Sequence, residues 1–390
     1  MAVTDIDLIL GYTPRNENID WDGLSKTALG PVFDAMRSTP QYPLYHAEGN
    51  VFEHTKLVCK ALILQDEYKN LSYEDKAILF LACLLHDIGK TKCTRLDENG
   101  NYVSPKHSLI GASMARELFW RELGLCGTEK KQQMRECICS LIRYHSFPPF
   151  AFSDKNGKEK LLKIASIGQA IPSFTLNKLC LLERADVLGR ISVNRDEYLE
   201  KIELCAEMAK EIGCFDAPYN FKDKYSQRAY FQGKTKYLDD KLYDSSFGDV
   251  IMLVGLPGTG KDTYIARNFP SLPVVSLDNI RFELGISATE NQGKVIARAN
   301  ELARGYLRKK QPFVWNSTNI NVLQREPRIS LFEEYGARVK IIFLEAEWNE
   351  NNRRNKDRYA VVPDEVIVRM LRGLEPPMPY EAYDVTWLPN

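Results

Sequence analysis

Gly255-Leu256-Pro257-Gly258-Thr259-Gly260-Lys261-Asp262-Thr263, GLPGTGKDT, decides how the second half of this chain is read. The apolar run VIMLV precedes it and the helix-compatible TYIARNF begins at its last residue, giving the strand–loop–helix context of a phosphate-binding loop. Glycines let main-chain amides approach a β-phosphate, and the N-terminus of the following helix favours anions. Lys261 adds a point charge for the β- and γ-phosphates. Asp262 stands where such loops usually carry the Ser or Thr that ligates Mg²⁺. A carboxylate oxygen is also a hard ligand, so it could serve the cation directly or instead repel the phosphates, and Thr263 offers a neighbouring hydroxyl. The expectation is a working loop with altered metal contacts, in which Gly255, Gly258, Thr259, Gly260, Lys261, Asp262 and Thr263 hold ATP or GTP with Mg or Mn.

Outward from the loop, VIMLVG, LPVVSL, PFVWNS and VKIIFL alternate with helix-like stretches, the pattern of βαβ units around a parallel sheet. LPVVSL runs into Asp278-Asn279-Ile280-Arg281 at the edge where open α/β sheets bind ligands. A carboxylate there can accept a hydroxyl proton during phosphoryl transfer, and an Arg three residues on shares its helical face and can hold a phosphate. The alternative for Asp278 is a helix cap. Trp315-Asn316-Ser317-Thr318-Asn319 ends another strand. Arg354 and Arg358, one turn apart, read either as a lid over ATP or as a solvated basic face.

The first half has different chemistry. All five histidines and all nine cysteines lie at or before Cys214. Apolar spacing of three and four over Val51 to Leu64, Arg135 to Arg143 and Phe174 to Leu188 predicts helices, with no strand series. Ala77 to Leu85 is apolar all round and reads as a buried helix ending in His86-Asp87. A charged pair there needs partners, either a structural hydrogen bond or a metal. His54, His107, His145 and Asp186 fall in the same predicted domain. Imidazole with carboxylate suits Zn, Mn, Fe, Co or Ni, and an adjacent Asp can bridge two ions. Such ions bring bound water toward neutrality and hold phosphoryl oxygens, which makes a hydrolase. His46 reads as an outer contact of that site or as a capping histidine.

At 390 residues with 44% apolar content the chain has room for two or three domains, each with its own core. Zero net charge excludes whole-molecule attraction to nucleic acid and leaves only local basic clusters for that purpose. The longest apolar run is far shorter than the roughly 20 residues that span a bilayer. MAVTDIDL lacks the features of a signal peptide, so the expected location is the cytoplasm, without membrane association. Nine cysteines without CxxC spacing predict reduced thiols, with Cys137 and Cys139 in core packing. Phe215 to Asp249, aromatic and charged without periodicity, reads as a connector, a solvated linker by preference.

The order His54, His86-Asp87, Asp186 resembles the HD phosphohydrolase superfamily. The likeness is closer to the HD domains of some bacterial tRNA nucleotidyltransferases, in His46-Ala47-Glu48 running to His54-Thr55, in LLHDIGK, and in Ala185-Asp186 before Gly189-Arg190. That resemblance implies one metal site of His54, His86, Asp87 and Asp186 and support for a second from His107 and His145. It also implies that Lys90 binds substrate phosphate, and that the substrates are phosphomonoesters or 2′,3′-cyclic phosphates. Asn50 replaces an Asp common in those relatives.

From Val250 to Pro377 the chain resembles bacteriophage-type polynucleotide 5′-kinases in GxxGxGK, Asp-x-x-Arg, STN and Arg-x-x-x-Arg. The likeness implies Lys261 and the loop on the donor, Asp278 as general base for a 5′-hydroxyl, Arg281 on the acceptor phosphate, and Arg354 with Arg358 as lid. Ser317 falls where that family often has Asp. Joined, the halves resemble the bacterial HD-Pnk end-healing enzymes. This implies an all-α HD phosphohydrolase domain over residues 1–214, a connector over 215–249, and an α/β P-loop kinase domain with a parallel sheet over 250–390. Its substrates would be RNA or DNA ends and an NTP donor, with a ligase downstream. Two other classes stay open: a nucleotide-salvage hydrolase fused to a small-molecule kinase, and a hydrolase regulated by an ATP-sensing module.

Overall fold

The computed structural model describes residues 5–153, 155–287, 290–358 and 361–390, so the first four residues of MAVTDIDL lie outside it. The chain divides into two compact units, residues 1–126 with 130–219, and 127–129 with 220–390.

The first unit is helical. Its main helices are α1 (Val51–Leu64), α2 (Tyr73–Leu85), α3 (His107–Glu117), α4 (Glu129–Tyr144), α5 (Leu176–Gly189) and α6 (Arg195–Ile212). α1, α2 and α5 each begin on a side-chain cap. Asn50 accepts from Glu53 N at 3.0 Å, Ser72 from Asp75 N at 3.1 Å, and Thr175 from Lys178 N at 3.2 Å. Asn50 thereby acquires a local role that its sequence position left open. Ala77 to Leu85 is buried at every position, as its uninterrupted apolar character requires. α5 packs against α1, α2 and α6. Among the described residues no strand series interrupts the helices of this half; beside them stands one short pairing, β1 (Arg95–Leu96) antiparallel to β2 (Tyr102–Val103). Two residues per strand carry too little periodicity to be seen. All nine cysteines are free thiols, and eight, including Cys137 and Cys139, are buried.

The second unit is α/β, built on five parallel strands in the order β4-β5-β3-β6-β7. These are β3 (Asp249–Val254), β4 (Val274–Ser276), β5 (Phe313–Asn316), β6 (Arg338–Glu345) and β7 (Asp384–Pro389). The first four coincide with the apolar runs of the sequence. DVTWLP, only partly apolar, adds an unexpected edge strand. Among the helices, α7 (Lys224–Phe231) precedes the sheet. α8 (Lys261–Asn268), α9 (Leu277–Leu284), α10 (Val322–Glu334) and α11 (Trp348–Lys356) follow strands of it. The five strands share one direction, so the loop after β3, the turn after β4 and the end of β5 gather at one edge.

The linker reading of residues 215–249 is corrected. α7 is folded onto the second unit by Arg228, whose Nε and Nη2 each lie 2.7 Å from the Glu333 carboxylate, while Nη1 donates to Tyr380 O. This fork–carboxylate pair adds to the burial of Ala229 and Phe231, whose ring packs on Phe221, Tyr230 and Tyr380. Arg325 makes a deeper clamp. It is fully buried, pairs with Glu381 at 2.7 and 2.9 Å, and donates to the carbonyls of Asn319 and Glu375. Arg325→Ala leaves the Glu381 carboxylate buried without its partner, and denaturant titration should show the second unit destabilised by roughly 3–5 kcal/mol.

Candidate functional sites

In the first unit α1 carries His54, the turn after α2 carries His86 and Asp87, α3 begins at His107, His145 follows α4, and α5 carries Asp186. Two glycines permit this convergence. A Cβ on Gly189 would lie 2.7 Å from Val58 N, so only glycine lets α5 come this close to α1 and set Asp186 beside His54. A Cβ on Gly89 would lie 2.0 Å from His107 O, so the turn bearing Asp87 touches the start of α3.

The six side chains form two groups with one carboxylate in common: His54, His86 and Asp87, and Asp87, His107 and His145. Asp186 joins the first, its Oδ1 2.9 Å from His54 Nε2 and 3.7 Å from His86 Nε2. The histidines present unprotonated nitrogens. His86, His107 and His145 donate from Nδ1 to the carbonyls of Cys83, Ser104 and Ile142 at 2.8, 3.1 and 2.8 Å. A carbonyl only accepts, so Nδ1 carries the proton and Nε2 a lone pair. Nε2 of His107 and His145 lie 3.4 Å apart, and those of His54 and His86 3.3 Å. Buried Asp87 Oδ1 has no hydrogen-bond partner. The facing lone pairs of His107 and His145 beside an orphaned carboxylate oxygen repel one another unless a cation lies among them, so the donor set fits divalent metal.

The charge states agree. Burial, then His107 and His86, lowers His145 to about 3, and burial holds His107 below the ordinary value. Burial thus favours the neutral form of both imidazoles, the form a metal would need. Burial works against the Asp87 carboxylate, but Lys90 and His86 hold it well below the usual range. His54 moves the other way: burial would lower it, yet Asp186 and Glu48 together raise it. Lys90 Nζ lies 2.7 Å from Asp87 Oδ2 and 2.7 Å from Gln41 Oε1.

Sequence reasoning missed Gln41, which no motif marks, and gave Glu48 no role. Glu48 Oε1 lies 2.8 Å from Nδ1 of both His46 and His54, and its Oε2 accepts from Ile191 N at 3.1 Å. It therefore backs a predicted ligand and pins the segment after Asp186. His46 sits behind the cluster, and burial lowers it to about 4.

In the second unit Gly255, Gly258 and Gly260 adopt positive φ, which curls the loop between β3 and α8. Lys261 Nζ donates to the carbonyls of Gly255 and Leu256 at 2.9 Å each, and desolvation lowers its ammonium to about 8 despite Asp262 nearby. Thr259 is buried, its hydroxyl on Leu256 O at 2.9 Å. Asp262 Oδ1 accepts from Asn316 Nδ2 at 2.7 Å, so the end of β5 fixes the unusual carboxylate. Thr263 is exposed.

The acceptor-side residues meet. Asp278 bridges Arg281 and Arg358, the latter at 3.2 Å across 80 residues of chain. The cap of α9 is Ser276 rather than Asp278, which removes the capping alternative for Asp278. Arg281 is steadied by Gln292 Oε1 at 2.7 Å. Arg354 pairs with Glu350 at 2.7 Å, and its Nη1 lies 3.4 Å from where a Cβ of Gly260 would be.

Two family models match the chain: one described as HD domain over residues 51–170, and one described as AAA domain over residues 250–377. An HD domain and a P-loop kinase-like domain thus stand in one chain, which makes it an enzyme combining hydrolase and kinase-like parts. No helix among the described residues is long and apolar enough to cross a membrane.

Two outcomes follow from the geometry. Asp87 is common to both metal groups, so Asp87→Ala should abolish tight Mn²⁺ binding, whereas His145→Ala should remove one ion and spare the other, as counted by elemental analysis of dialysed protein. At the loop, bound phosphate favours the charged ammonium. The Mg·ATP dissociation constant should therefore be flat below about pH 8 and rise by up to tenfold per pH unit above it in calorimetric titration, with the slope absent in Lys261→Met.

Proposed function

We propose that this enzyme heals broken nucleic-acid ends. The first unit removes a 3′-phosphate or opens and clears a 2′,3′-cyclic phosphate, and the second phosphorylates a 5′-hydroxyl. The observation that carries the reading is the pairing of two complementary phosphate-handling centres in one chain. One is a cluster of six metal-type ligands sharing Asp87. The other is a phosphate loop facing a carboxylate that is gripped by two arginines.

In the hydrolase centre His54, His86, Asp87 and Asp186 would hold one cation, and Asp87, His107 and His145 a second. Divalent metal there supplies an acidified water and neutralises phosphoryl charge. Lys90, paired with Asp87 and aimed by Gln41, attracts the substrate phosphate. The buried ligand set keeps bulk solvent from competing.

In the kinase centre the loop amides and Lys261 hold the donor phosphates once the ammonium leaves the Gly255 and Leu256 carbonyls. Asp262, oriented by Asn316, faces the donor's cation in place of the usual hydroxyl. Asp278 receives the 5′-hydroxyl proton, Arg281 grips the phosphate on its 3′ side, and Arg354 and Arg358 stabilise charge on the transferring group.

Zero net charge favours the salvage reading, because it offers no long-range pull on a polynucleotide. One assay separates the two: purified protein, ATP and Mn²⁺ with an oligonucleotide bearing a 5′-hydroxyl and a cyclic phosphate, against the matching mononucleotides. The expected result is turnover of both oligonucleotide ends well above the mononucleotide rate. His86→Ala should lose only the 3′ activity, and Lys261→Ala or Asp278→Ala only the 5′ activity. Equal rates on mononucleotides would give salvage.

A further inference from the structure

One buried group in the second unit has no task in this scheme. Asn351 lies on α11, is 2% exposed, and neither its Oδ1 nor its Nδ2 has a hydrogen-bond partner. One turn further along the same helix, Asn355 is equally buried but satisfied at both ends: its Nδ2 donates to Val362 O at 2.7 Å and its Oδ1 accepts from Val362 N at 3.2 Å. The orphaned state thus belongs to Asn351 alone of this pair. Leaving such a group unmade is costly, and persistent exceptions mark a missing partner or a working site.

Its position names the partner. The place a Cβ on Gly258 would occupy lies 2.6 Å from Asn351 O and 3.1 Å from its Oδ1, so α11 rests on the middle of the phosphate loop. Arg354, three residues on and on the same helical face, reaches the place of a Gly260 Cβ with Nη1 at 3.4 Å. Asn351 and Arg354 therefore run along the loop in parallel, one neutral carboxamide and one cation. A carboxamide offers two N–H donors and no charge, which adds a contact to an anion without further loading a site that already holds Lys261, Arg354 and Arg358.

We propose that Asn351 is a further donor-binding residue: its carboxamide turns over so that Nδ2–H, in place of the Oδ1 that faces Gly258, hydrogen-bonds a phosphate oxygen of the nucleotide seated in the loop. This rests on the kinase reading above. The contact is to phosphate rather than base, so it applies equally to ATP and GTP.

The test is calorimetric titration of the full chain with Mg·ATP and Mg·GTP. Asn351→Leu, similar in volume, should weaken both nucleotides about ten- to a hundredfold, as expected for one hydrogen bond to a charged group, while the nucleotide-free protein melts at the same or a higher temperature because the orphaned amide is gone. Asn351→Asp, which keeps the shape and sets a negative charge beside the phosphates, should weaken them more. Unchanged affinities in a leucine variant that melts no lower overturn the proposal. So does a loss confined to ATP, which would place the contact on the base. Failure of the parent protein to bind either nucleotide overturns the kinase reading itself, which separates the two failures.

Discussion

Main-chain carbonyls decide the chemistry of the first unit. By taking the Nδ1 protons of His86, His107 and His145, the carbonyls of Cys83, Ser104 and Ile142 force each imidazole to offer a bare Nε2 inward. Four Nε2 atoms and three carboxylate oxygens then crowd a buried space from which water is largely excluded. Such an arrangement is stable only with positive charge inside it. His54, held between Asp186 and Glu48, meets that need in part with a proton, as its raised basicity records. Everything else in the unit serves the convergence: caps that start α1, α2 and α5 at fixed residues, and glycines that let α5 and α3 come within contact.

The second unit solves the opposite problem, keeping positive groups ready for an absent anion. Lys261 rests on two carbonyls of its own loop, Arg354 on Glu350, and Arg281 and Arg358 on Asp278. Each cation has a partner that competes weakly with a triphosphate or an acceptor phosphate. The Asp278 pairings also keep its carboxylate oriented across the site. Fixing the scaffold falls to Arg325, which ties Glu381 to the segment after β5 through the Asn319 carbonyl, and to Arg228, whose partner Glu333 lies just before β6 begins, at the opposite edge of the sheet.

Both fold classes were legible because each rests on a strong local signal. The glycines of GLPGTGKDT have one ready use after a buried strand, and an apolar helix ending in His-Asp has few. The three inner strands β3, β5 and β6 were continuous apolar runs because parallel strands are buried on both faces, and the edge strand β4 showed in the short run LPVVSL. β7 stayed hidden because DVTWLP is only partly apolar and half-buried along most of its length, and α7 because eight residues with two buried apolar side chains are too short a pattern to read. Within the sites, the gathering of the candidate histidines and aspartates followed the sequence pattern, but the contacts of Gln41, Glu48 and Asn316 could not be read from it. These three residues act across gaps of chain that no spacing rule connects, through hydrogen bonds visible only once the chain is folded.

The burial of the cysteines has its own effect on which ions the hydrolase unit selects. Desolvation pushes Cys137 and Cys139 up to about 12 each, so they stay thiols at any physiological pH. Soft ions such as Cd²⁺ and Cu⁺ prefer thiolate above all other donors, and the groups His54, His86, Asp87 and Asp87, His107, His145 contain no sulfur. Discrimination is left to nitrogen and oxygen. A cobalt-substituted centre would accordingly absorb through ligand-field transitions in the visible, with no sulfur-to-metal charge-transfer band in the near ultraviolet.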